Sequence, residues 1–139
     1  MRQGFELVDH TADVGVRAWA PTCAGVFEET GKAVFSLICD PLTVDQTEAV
    51  ELRVEAADRE LLLAAWIDEL IYQFETRQAL FVDFELTELD ETHLVARVIG
   101  ERLDPARHAV CGGVKAATLP GLSVRESTSG WEGFVILDV

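Results

Sequence analysis

Lysine is almost absent from this chain. There are two, Lys32 and Lys115, and 11 basic residues in all face 25 acidic ones, for a formal net charge of −14 at pH 7. Tight, autonomous binding of RNA or DNA depends largely on Lys and Arg neutralising phosphates, so no direct tight nucleic-acid binding is expected, although a local basic patch is compatible with the count. Cations or a basic protein surface suit such a charge; solubility alone is the plain alternative. Cysteine is scarce too. Cys23, Cys39 and Cys111 lie far apart with no Cys-x-x-Cys pair, which reads as small core filler in a reducing cytosol, not as a zinc site or disulfide framework. No apolar run approaches the ~20 residues of a membrane span. The opening "MRQGFELVDH" has no apolar signal segment, so a cytoplasmic protein without membrane association is expected. Phosphate-loop, nucleophile-elbow and His-Glu-x-x-His patterns are missing, and His10, His93 and His108 have no ligand spacing to one another.

What is present suits one domain over residues 1–139: 49% hydrophobic residues, with no linker, repeat or low-complexity tract. "FELV" (5–8) and "VGVRAW" (14–19) read as short strands. "TCAGVFEETGKAVFSLICD" reads as a helix capped by Thr22, with Cys23, Val26, Phe27, Val34, Leu37 and Ile38 at helical spacing and a stop at Asp40-Pro41. "EAVELRVEA" alternates, with Val50, Leu52 and Val54 on one side. Asp58 caps a second helix with a broad apolar face from Leu62 to Phe74; Asp68, Glu69, Tyr72 and Gln73 lie away from that face. "LFVDFELTEL" and "HLVARVIG" form a hairpin around Asp90-Glu91-Thr92, "ERLDPARHAVCGG" is a loop, and the tail holds "VKAATL", a turn at Pro120-Gly121, "LSVRE", a second turn and "WEGFVILDV". The expected class is α+β: a mostly antiparallel curved sheet with two amphipathic helices packed on it.

The candidate chemistry is acidic. In "DHTADVGVRAW", Asp9 and Asp13 bracket His10 at the mouth of a strand. Hard cations such as Ca²⁺ and Mg²⁺ want oxygen ligands, but Asp is also common at turns, so this spacing alone is weak. The C-terminal "VILDV" adds Asp138 and the last residue, Val139, to an apolar strand. Crowded negative groups are relieved by a cation, by an Arg or by a helix N-terminus, and a frayed, solvated end is the plain reading. Lys115, among small and apolar neighbours in "GGVKAATL", suits a carboxylate or phosphate partner, or simple exposure on a strand face.

Three separated motifs, "DHTADVGVRAW", "VKAATLPGLSV" and "GWEGFVILDV", together with the "FEETGKAVFSLI" helix, resemble the archease family from end to end. The resemblance implies an accessory protein, not an autonomous enzyme: an activator of the RtcB-type RNA ligase of tRNA splicing and RNA repair, promoting ligase guanylylation and multiple turnover. It also implies a divalent metal ion, Ca²⁺ first with Mg²⁺ or Mn²⁺ as alternatives, on Asp13, Asp138 and an oxygen of Val139. Asp9, His10 and Lys115 would belong to the functional surface. Family members often carry a His after the stretch matching "VKAAT"; this chain has Leu119-Pro120-Gly121 there, so no role of that His carries over. The rivals are a general protein-binding module or chaperone, and a metal-dependent hydrolase on Asp13 and Asp138, which lacks a recognisable base or nucleophile.

Overall fold

A computed structural model of the chain describes residues 2–10 and 12–139. Its elements run β1 (Gly4–His10), β2 (Asp13–Ala20), α1 (Cys23–Ile38), β3 (Glu48–Glu55), α2 (Arg59–Arg77), β4 (Ala79–Leu89), β5 (His93–Arg102), β6 (Ala116–Ser127) and β7 (Gly130–Asp138). All strand pairs are antiparallel, and the strands divide into two sheets, ordered β1-β2-β7-β6 and β3-β5-β4. The α+β class and the antiparallel pairing are those expected.

The helices pack on both sheets. Thr22 caps α1, its side chain accepting the Gly25 N–H. No residue of α1 is fully exposed, because β2 of one sheet and β4 of the other both lie against it. The helix is amphipathic as expected: Glu28, Lys32 and Ser36, four residues apart, form a half-buried polar stripe, while Val26, Phe27, Val34 and Ile38 are in the core. Close approach is possible where side chains are missing: a Cβ on Gly31 would meet the Phe84 ring at 2.8 Å. Across the helix pair, the buried Trp66 indole of α2 donates to the Phe27 carbonyl of α1 at 2.9 Å and meets Phe84 edge-on.

The stop at Asp40-Pro41 holds: α1 ends at Ile38, and Asp40 caps a separate 3₁₀ turn over Pro41–Thr43. Three other local expectations change. Gln73, expected away from the apolar face, is 5% exposed; its amide NH2 donates to Glu69 Oε1 at 3.0 Å, while its Oε1 is buried with no partner among the described residues. Pro120-Gly121 does not reverse the chain. β6 runs through it, with Gly121 at φ +78° inside a register break between Thr118 and Ser123, so the Pro-Gly chemistry makes a bulge. Of the three cysteines expected as core filler, Cys39 is buried, Cys23 is half-buried and Cys111 is exposed.

Edges are covered by helix carboxylates. Glu28 of α1 accepts the Leu86 N–H of β4 at 2.9 Å, and burial raises the Glu28 carboxyl above its ordinary value despite that hydrogen bond. A raised carboxyl makes the ionised form unfavourable to the fold above the folded pKa, and that penalty fades as pH falls through it toward the ordinary glutamate value. Glu28→Gln keeps an acceptor without the charge. Its melting temperature should exceed wild type at neutral pH, and the gap should close on acidification. Glu28→Ala, which strands the Leu86 N–H, should instead lose about 1 kcal/mol. Thermal melts of both variants from pH 8 to pH 4 check this, and a Glu28→Gln protein that melts below wild type at pH 7 contradicts it.

Candidate functional site

β7 is central: β2 flanks it on one side and β6 on the other. Its inner face carries Val135 and Leu137, at 1% and 0% exposure, into the core, so alternation puts Asp138 on the opposite face. Asp13 begins β2 and pairs directly with Asp138 in the register. Residues directly opposite on an antiparallel pair hold their Cβ atoms about 5 Å apart on one face. Two carboxylates 125 positions apart in sequence thus share one end of one sheet face. Ala116, the first residue of β6, is Asp138's partner on the other side. The N–H of Lys115, just before it, donates to the Asp138 carbonyl at 2.7 Å.

Like charges directly opposite are unfavourable, and among the described residues no salt bridge is made to either carboxylate. Among the described residues the salt bridges lie elsewhere: Arg17 holds Glu6, Lys32 holds Glu29, and Arg107 holds Glu101, Asp45 and Asp104. Both aspartates are half-buried, Lys115 is exposed, and Val139 is 41% exposed. The donor set therefore suits a hard cation with part of its shell left to water or a ligand. No group of three or more His, Cys, Asp or Glu side chains converges among the described residues.

The other sequence candidates fall around this pair. Asp9 is exposed and pairs with Val14, so alternation places it on the face opposite Asp13. His10 pairs with Asp13 through the backbone register; its side chain, like Thr11 of the same motif, lies outside the described residues. Lys115 is brought to Asp138 by its main chain.

The spine behind Lys115 was not visible as a site in the sequence. Residues 103–115 connect β5 to β6 across the end of α1, where the Cys111 N–H donates to the Ile38 carbonyl. His108, 4% exposed, uses both ring nitrogens: Nδ1 accepts the Asp104 N–H at 2.8 Å, which leaves the proton on Nε2 for Glu101 Oε2 at 3.2 Å or the Thr43 carbonyl at 3.1 Å. The Glu101 carboxyl is held below its ordinary value, first by the Asp45 N–H and then by Arg107 and His108. The only sequence signal was a polar loop with an Asp-x-x-x-His spacing.

The match to known proteins has the same extent as the three motifs. The Archease protein family profile matches residues 5–139. The chain belongs to the archease family. It is 36% identical to the archease of Methanopyrus kandleri over 97% of this chain and 99% of that one, and 30% identical to that of Methanosarcina barkeri over 97% and 95%. The solution structure of Methanobacterium thermoautotrophicum protein 1598 superposes with a TM-score of 0.83 at 30% identity, covering 98% of this chain and 99% of that one. A Thermotoga maritima crystal structure, an archease described as a possible chaperone, shares the fold with a TM-score of 0.62 at 17% identity, over 100% and 98% of the two chains. No helix among the described residues is long and apolar enough to cross a membrane.

Proposed function

We propose that this family member is a cytoplasmic accessory factor of an RtcB-type RNA ligase, promoting the ligase's guanylylation and multiple turnover, and not itself a catalyst. The observation that carries the reading is the convergence of its three separated motifs. Asp13 from the first and Asp138 from the last face each other across β2 and β7, and Lys115 from the second is tied to Asp138 by a 2.7 Å hydrogen bond. Asp13, Asp138 and an oxygen of Val139 would hold a divalent cation, Ca²⁺ by preference and Mg²⁺ or Mn²⁺ otherwise. A hard cation, when bound, supplies positive charge and open coordination positions for phosphate oxygens. The chain's own part is to fix the carboxylates on two hydrogen-bonded strands, so that the cation's ligands need no reorganisation, and to tie the main chain of the exposed Lys115 to Asp138, leaving its ammonium free for a partner. An ammonium is a compact point charge suited to phosphate. With a net charge of −14, the protein suits a basic ligase surface better than RNA.

Turnover with limiting ligase tests this. RNA ends bearing a 2′,3′-cyclic phosphate and a 5′-hydroxyl should be joined for many rounds with the protein present and stall after about one without it. Equal turnover in both arms would overturn the reading. A general protein-binding module or chaperone predicts something else: any stimulation would survive Lys115→Ala and Asp13→Ala undiminished.

A further inference from the structure

β6 is the edge strand of its sheet, so its outward N–H groups need partners or water. Two find them on α2: Asp68 Oδ1 accepts the Ala117 N–H at 3.0 Å, and Glu60 Oε2 accepts the Val124 N–H at 3.2 Å. Between these carboxylates sits Ala64, 7% exposed. Positions 60, 64 and 68 fall on one helix face, and the small side chain in the middle lets the helix come close to the strand.

The spacing shows that this is a matched pair. Eight helical residues from Glu60 to Asp68 span about 12 Å. Seven extended residues from Ala117 to Val124 would span about 23 Å and could not be reached by both. The bulge between Thr118 and Ser123 removes the mismatch. Across β7, Ala117 pairs with Leu137 and Val124 with Gly133, four strand residues apart, or about 13 Å. The Leu119-Pro120-Gly121 excursion thus brings the two edge N–H groups into step with the helix.

The two ends of this clamp differ in what lies beside them. Val124 is near the far end of β6, whereas Ala117 is two residues from Lys115, whose own N–H is bonded to Asp138. We infer that Asp68 is a positioning residue for the functional site: it fixes the start of β6 from the outside, as Asp138 fixes it from the inside, and so sets where Lys115 stands relative to the Asp13–Asp138 pair. Glu60 makes the same kind of bond without that consequence. The inference rests on the proposed function only for its activity readout.

The experiment compares Asp68→Ala, Asp68→Asn and Glu60→Ala in the full chain, each read by amide hydrogen exchange, by Ca²⁺ titration and by stimulation of the ligase. Asp68→Ala should speed exchange at Lys115 and Ala117 at least tenfold and lower stimulation at least tenfold, with Ca²⁺ affinity within about twofold of wild type. Asp68→Asn keeps an oxygen acceptor and should restore most of both. Glu60→Ala should speed exchange at Val124 and leave stimulation at the wild-type level. Unchanged exchange at Lys115 in Asp68→Ala, or equal losses of stimulation in Asp68→Ala and Glu60→Ala, would overturn the inference. A wild-type protein that stimulates no ligase would instead remove the proposed function, and the exchange arm would still decide whether Asp68 holds Lys115.

Discussion

Saturating Ca²⁺ should raise the melting temperature of the wild-type protein by about 10 °C, and Asp138→Asn should abolish that shift. The size follows from linkage: a ligand at a hundred times its dissociation constant stabilises the folded state by about 2.7 kcal/mol. For a domain near this size, each kcal/mol moves the melting temperature by about 3–5 °C. The metal-free comparison separates a ligand role from a structural one. Asp138 lies directly opposite Asp13, and its bond to Lys115 uses the main-chain carbonyl, which the substitution leaves in place. Removing one of two facing charges should therefore leave the metal-free melting temperature equal to wild type or higher. A structural carboxylate predicts the reverse, a metal-free protein that melts lower. Calorimetry should show the same loss, at least tenfold in affinity, for Asp13→Ala. Equal Ca²⁺ binding by wild type and both variants would remove the metal assignment.

Trp66→Ala should destabilise the protein by about 3–5 kcal/mol, the largest effect expected of any single truncation in the core. Trp66 is fully buried and sits where α1, α2 and β4 meet: its ring lies edge-on to Phe84, and its N–H is the partner of the Phe27 carbonyl. Truncation opens a cavity between two sheets and two helices that cannot all close on it, and it removes the indole's hydrogen bond to the Phe27 carbonyl, which keeps its own partner within α1. Trp66→Phe fills most of the space but loses the hydrogen bond to the Phe27 carbonyl, so it should lose about 1 kcal/mol. Denaturant melts of the two variants decide it. If Trp66→Phe is as stable as wild type, the hydrogen bond to Phe27 contributes nothing, and packing alone explains the site.

Trp66 also shows which parts of the fold were legible in advance. The stripe from Leu62 to Phe74 marks α2, because only a helix puts those positions on one side, and Thr22 and Asp58 cap their helices as their side-chain chemistry requires. The division into two sheets was hidden, because local pattern says which face of a strand is buried but not which strand it pairs with. For the same reason the burial of Glu29 and Thr30 in α1 was hidden: both are bonded, Glu29 to Gln3 and Lys32, Thr30 to the Val26 carbonyl. Pro120-Gly121 has the composition of a reversal and makes a bulge, because Gly121's positive φ serves either.

The candidate site divides the same way. Asp13 and Asp138 carry no local sign that they face each other, since register between β2 and β7 is set by the apolar alternation of whole strands. Resemblance to a family, not spacing, singled them out. Asp68 was assigned to a plain solvent face of α2, where its hydrogen bond to β6 leaves no trace in the sequence. His108 and Glu101 were invisible for a related reason: a buried polar pair inside a loop looks like any polar loop until its partners are placed.

The central claim is that the Asp13–Asp138 pair acts on a ligase. Its most direct test is the rate of guanylylation of a purified RtcB-type ligase, with GTP and a divalent cation, in the presence of wild-type protein or Asp138→Asn whose melting temperature has been measured alongside. The account predicts that wild type accelerates guanylylation and that Asp138→Asn, folded and melting at or above the metal-free wild-type temperature, does not. A variant with normal melting and full stimulation would contradict it.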